Sequence, residues 1–112
     1  MATTSAKSQS GKKALQEVTR RIVRVAKPSR LLLFGSAVSG RMTKDSDLDI
    51  LVVVPGPVHH RQMAQKIYRS LRGVGVAVDV VIATEDELQN YGHRAGTILK
   101  PALREGRIIY EA

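Results

Sequence analysis

Apolar residues recur along this chain with two different periods, and the changes from one period to the other mark out its elements. Leu15, Val18, Ile22 and Val25 stand three or four residues apart, the spacing of one helix face, and Lys27-Pro28 ends that helix. Leu31 to Phe34 is a short, continuously apolar run, as in a buried strand. Gly35-Ser36 breaks it; a short helical turn is expected from Ser36 to about Gly40, then a polar loop from Arg41 to Ser46. Asp47 to Val54 reads as a second strand, stopped by Pro55-Gly56-Pro57. Met63, Ala64, Ile67, Tyr68 and Leu71 return to the helical period and predict an amphipathic helix from about His59 to Arg72, with Gly73 at its C-terminal stop.

Ala77 to Ala83 is a third strand. Thr84-Glu85-Asp86-Glu87 has the capping-box pattern that opens a helix. A last short helix is expected over Ile98 to Glu105, with Pro101 near its first turn, and Arg107 to Tyr110 follows as an edge strand. Residues 1–12 are rich in Ser, Thr, Ala and Lys and lack any apolar period, so residues 1–13 are expected to be a disordered basic tail and 14–112 the folded domain.

Composition narrows the function classes. A chain of 112 residues builds one domain with a modest core. With no cysteine, disulfides and Cys-based zinc sites are excluded. The longest apolar runs, such as Ile50 to Val54, are strand-sized, far below the roughly 20 residues of a membrane span. No apolar run follows the N-terminal lysines, so no secretory signal is read and a cytoplasmic protein without membrane attachment is expected. The net charge of +8 suits nucleic acid, nucleotide phosphates or an acidic protein, and is equally that of a solvated basic surface. One Phe and three Tyr give no platform for stacking bases, which makes nucleic acid a secondary expectation.

The candidate chemistry begins on the second strand. Side chains alternate along a strand, so Asp47 and Asp49 point to one face with their Cα atoms roughly 6.5–7 Å apart. Two carboxylates held about 4 Å apart at an effective dielectric near 20 repel by roughly 4 kcal/mol. A divalent cation converts that repulsion into binding, and hard oxygen ligands favour Mg²⁺ or Mn²⁺ over zinc. Taken alone, the pair equally describes two solvated acids at a strand entrance. Gly35-Ser36, after a strand and before a helical turn, suits close approach to a phosphate, or simply an N-capped turn. Asp79 interrupts an apolar strand, where a buried carboxylate needs either a cation or a shared metal.

Together, the Gly-Ser turn, the Asp-x-Asp strand and the later strand Asp are far more specific than any one of them. The stretch from Leu33 to Val54, Leu-Phe-Gly-Ser-Ala-Val-Ser-Gly-Arg-Met-Thr-Lys-Asp-Ser-Asp-Leu-Asp-Ile-Leu-Val-Val-Val, resembles the minimal nucleotidyltransferases of the DNA polymerase β-like superfamily. The resemblance extends through Val-Asp-Val-Val-Ile-Ala-Thr to the C-terminal Ala-Leu-Arg-Glu-Gly-Arg-Ile-Ile-Tyr-Glu, covering about residues 14–111. It implies an α/β (α+β) nucleotidyltransferase fold: a small mixed β-sheet of about four strands flanked by helices. It further implies that Asp47, Asp49 and Asp79 hold two Mg²⁺ (or Mn²⁺) ions, that Asp79 also helps deprotonate the acceptor, and that Gly35, Ser36 and Ser46 bind the nucleotide. Arg41 departs from the family pattern, which often has an acidic residue there.

The activity so implied is transfer of a nucleoside monophosphate, AMP from ATP, to an acceptor hydroxyl. Such proteins pair with HEPN-family toxins, and the acceptor would be a tyrosine of that partner, making this chain an antitoxin. Two alternatives stand beside it: a small-molecule acceptor of the aminoglycoside type, and an antitoxin that acts by docking alone. Other features invite less. His59-His60 reads as a solvated helix start rather than a metal site, and His93 as surface. Tyr68 and Tyr91 fit apolar stripes. Arg61, Lys66, Arg69 and Arg72 give their helix a basic face.

Overall fold

The computed structural model describes residues 6–34, 48–91 and 106–112. They form helix α1 (Ala6–Ala26), strand β1 (Arg30–Phe34), strand β2 (Leu48–Val54), helix α2 (His60–Ser70), strand β3 (Val78–Thr84), helix α3 (Glu85–Tyr91) and strand β4 (Arg107–Glu111). The four strands make one sheet in the order β3-β2-β1-β4. β1 runs antiparallel to both β2 and β4, and β2 runs parallel to β3 through the α2 crossover. This is the mixed, helix-flanked α/β architecture that the family resemblance implies.

The two faces of the sheet are covered differently. On the first, Leu31, Leu33, Ile50, Val52 and Val54 pack against Val18 and Ile22 of α1 and Ile67 and Leu71 of α2. On the second, Leu32, Leu51, Val53 and Ala83 pack with Leu88 of α3. β2 carries the centre of both clusters: Ile50, Leu51, Val52 and Val53 are fully buried. A strand buried on both faces has to be apolar throughout, and its sequence is, apart from Asp49.

Local chemistry sets the ends of the elements. Thr84 Oγ1 accepts from Glu87 N–H at 3.0 Å and Glu87 Oε1 accepts from Thr84 N–H at 2.8 Å, the reciprocal bonds of a capping box. After α2 the chain turns through Gly73 at φ +77°, a left-handed conformation that favours glycine. His59 caps α2, its Nδ1 accepting from Gln62 N–H at 3.3 Å. His60 Nε2 pairs with Glu87 Oε1 at 2.8 Å, tying α2 to α3. Both histidines therefore have structural roles. Burial raises the Glu87 carboxyl, but the bonds to His60 and Thr84 outweigh it and hold the group below the ordinary carboxylate range. Glu85 is held low as well, chiefly by the Ser29 hydroxyl at 2.6 Å and further by Arg30 at 2.9 Å.

Two details differ from the sequence reading. α1 starts at Ala6, so residues 6–13 are helical where a disordered tail is expected; helix-forming Ala, Lys and Gln residues extend the helix without needing an apolar stripe. Tyr68 is 42% exposed instead of lying in an apolar stripe. Its hydroxyl accepts from Val80 N–H at 2.9 Å, covering one amide on the open edge of β3. The expected turn over 36–40, the helix over 98–105, His93 and the Tyr91 side chain lie outside the described residues.

α1 is locked to the end of α2 by Arg21. Its Nε donates to Glu17 Oε2 at 2.7 Å, and its Nη1 donates to the carbonyls of Ser70 at 3.1 Å and Arg72 at 2.8 Å. The hydrogen bonds of Arg20 and then Arg21 lower the Glu17 carboxyl from 4.5 to about 2. A carboxyl with a depressed folded-state pKa stabilises the fold above its unfolded value, and that contribution disappears as pH falls through the folded value. Glu17→Gln is therefore expected to be less stable than wild type above pH 4.5, with the gap closing between 4.5 and about 2. Denaturant melts across that range check this; a gap independent of pH contradicts the clamp.

Candidate active site

The pairing of β2 with β3 decides where the carboxylates go. Leu48 pairs with Val78 and Asp49 with Asp79, so the two aspartates stand side by side on neighbouring strands and share a face. Adjacent strands are about 4.8 Å apart. On the other side of Asp49, Phe34 is its antiparallel partner on β1. Phe34, Asp49 and Asp79 thus form one row across three strands, on the second face, away from α1 and α2. The next row is Leu32, Leu51 and Val81, which gives the carboxylates an apolar neighbour along the sheet.

This row also brings the ends of the sequence motifs together. Phe34 is bonded to Gly35, and Leu48 to Asp47. Phe34, the last residue of β1, thus stands beside Asp49, and β2 begins at Leu48, one residue before Asp49. Gly35, Ser36, Ser46, Asp47 and Arg41 themselves lie outside the described residues. Of the six predicted site residues, Asp49 and Asp79 are described, and they are register partners. The place of Phe34 beside them was missed by the sequence reading, which treated it only as strand core; its position next to the Gly-Ser turn was the available signal.

Asp49 is half-buried, whereas Asp79 is exposed on the edge strand. That exposure removes the premise that Asp79 is a buried charge in need of a cation. Among the described residues, Asp79 has no ion-pair partner. No group of three metal-binding side chains occurs among the described residues either. The donor set that is described consists of two carboxylates with no imidazole or thiolate beside them, which fits a hard divalent cation such as Mg²⁺ or Mn²⁺.

Like charges directly across neighbouring strands destabilise a sheet. In metal-free protein, Asp79→Asn is therefore expected to hold stability or raise it by about 0.2–1 kcal/mol. A buried ion-pair member would instead lose about 3–5 kcal/mol on the same change. Urea melts in the presence of a chelator distinguish the two, and a loss in that larger range contradicts the exposed, repelled pair.

Comparison with known proteins follows the same lines. A family model described as a nucleotidyltransferase domain matches residues 12–106. A crystal structure of a toxin–antitoxin with AMP-PNP superposes with a TM-score of 0.55 at 23% identity, over 85% of this chain and 72% of that one. A Sulfolobus solfataricus protein described as a candidate nucleotidyltransferase gives a TM-score of 0.54 at 20% identity, over 88% of this chain and 87% of that one. A mutant of the toxin–antitoxin MntA-HpeT gives 0.51 at 20% identity, over 84% of this chain and 70% of that one. No curated protein is significantly similar to it in sequence. At these identities the solved structures share the fold, and the family match spans most of the chain. The chain belongs to the nucleotidyltransferase domain family.

Proposed function

We propose that this protein is an antitoxin that transfers AMP from ATP to a tyrosine hydroxyl of a HEPN-family toxin. The observation that carries the reading is the register pairing of Asp49 with Asp79, with Phe34, the residue before Gly35, beside Asp49 on β1. A protein that only docks gains nothing from two repelling carboxylates held side by side, whereas a nucleotidyltransferase needs them. Fold relatives support the biological setting: one is a toxin–antitoxin with AMP-PNP. Another is a MntA-HpeT mutant carrying two Asp-to-Glu changes two positions apart, the same spacing as Asp47 and Asp49.

In this reading Asp47, Asp49 and Asp79 hold Mg²⁺, with Mn²⁺ as a substitute. The bound metal supplies charge neutralisation for the triphosphate and the attacking oxygen. Gly35, Ser36 and Ser46 hold the phosphates through backbone N–H and hydroxyl groups. The acceptor oxygen forms a bond to the α-phosphorus as the bond to pyrophosphate breaks. The acceptor proton passes to Asp79, which its exposure on the edge strand leaves open to an incoming partner. The protein's part is positioning and electrostatics.

Co-expression with a HEPN-family toxin, followed by intact-mass analysis, tests the proposal. Wild-type protein with ATP and Mg²⁺ is expected to add the mass of one AMP unit per modified tyrosine. The partner should then stay inactive after the antitoxin is removed. An unchanged partner mass, with Asp49→Asn neutralising as well as wild type, would overturn the transfer reading in favour of docking alone.

A further inference from the structure

Among the described residues, the unpaired cations of the two long helices lie on the side of the sheet opposite Asp49 and Asp79. Residues 13–27 and 59–72, which comprise α1 beyond its first turns, α2 and the caps of both, contain nine Lys or Arg and one acid, Glu17. Glu17 is already neutralised by Arg20 at 2.6 Å and Arg21 at 2.7 Å. Lys13, Arg24 and Lys27 on α1 and Arg61, Lys66, Arg69 and Arg72 on α2 are all exposed, and none of them has an acidic partner among the described residues. Both helices lie on the first face and touch each other, and the bonds from Arg21 to the carbonyls of Ser70 and Arg72 fix the two cationic surfaces side by side. The aspartates lie on the opposite face.

We infer that this helix layer binds the sugar–phosphate backbone of a nucleic acid, without reading its sequence. A row from Lys13 to Lys27 is roughly 21 Å long at about 1.5 Å per residue. Phosphates along one strand of a duplex are about 3.4 Å apart, so the row spans several of them, and α2 supplies a second row beside it. Protein partners are usually held by a buried apolar centre. The only large exposed apolar residue among the described residues of this layer is Tyr68, whose hydroxyl is engaged by Val80 N–H. An apolar cleft lined by Leu15, Val23, Leu33 and Ile108 lies between α1 and β4, and none of the seven cations lines it; cations with no apolar centre among them suit a polyphosphate better than an acidic protein. Backbone binding needs no stacking platform, so the scarcity of aromatic residues does not oppose it. The surface lies behind the carboxylates, so its occupant leaves the nucleotide side open, and the inference stands independently of the proposed activity.

Fluorescence anisotropy of the full chain with a labelled 20-base-pair duplex, as a function of salt, is the test. Wild type should bind at low salt with a steep log–log salt dependence. A variant with Arg61, Lys66, Arg69 and Arg72 all changed to Ala should lose about tenfold or more in affinity, and its slope should fall by up to about 3.6, near 0.9 per lost phosphate contact. A Lys13→Ala/Arg24→Ala variant should lose a smaller share, while Asp49→Asn should bind as wild type. Unchanged melting temperatures confirm that the variants fold. No binding by wild type at low salt would overturn the inference, as would binding that the α2 variant retains. Equal or tighter binding to polyglutamate or to anionic lipid vesicles would overturn it in favour of an acidic protein or a membrane surface.

Discussion

β2 is hydrogen-bonded on both sides, and its register with β1 and β3 decides which face Asp49 occupies. A slip of one residue would turn every side chain over, carry Asp49 under α1 and α2, and push Ile50 and Val52 out of the larger core. That slip is opposed chiefly by Asp49 itself, whose carboxylate would enter the apolar cluster beneath α1 and α2. The apolar core therefore does more than stabilise the sheet. It holds two like charges side by side, an arrangement that the strands would not adopt for its own sake, at the end of the sheet where β1 turns away.

Much of this could be read in the sequence because the signals are local. The capping box at Thr84 predicts its own pair of hydrogen bonds, and Lys27-Pro28 marks the end of α1. Strand order and packing are another matter. Asp79 sits among Val78, Val80, Val81 and Ile82, which suggests burial. Yet β3 is an edge strand whose apolar residues are mostly half-buried, and the aspartate is exposed. Nothing local says which strand lies at an edge. Likewise, residues 6–13 lack an apolar stripe but continue a helix nucleated by the packed turns after them, and Tyr68 leaves its stripe to reach a neighbouring strand.

The separation of charge across the sheet gives the molecule two working sides. The second face brings the carboxylates of Asp49 and Asp79 together on β2 and β3, the arrangement that the proposed metal-dependent transfer would use. The first face carries cations on two helices braced together by Arg21. Neither side could use the other's charges: a cationic layer beside Asp49 and Asp79 would compete with metal, and carboxylates among the helices would pair off the free cations as Glu17 already does.

The central claim is that Asp49 and Asp79 act as one cation site. Mn²⁺ binding followed by the paramagnetic resonance of the free ion, in wild type, Asp49→Asn, Asp79→Asn and the double variant, tests it most directly. The account predicts that each single change weakens binding by about tenfold or more and that the double variant is little worse than the weaker single one, because both remove the same site. Wild-type affinity in either single variant, or losses that simply add, would contradict it.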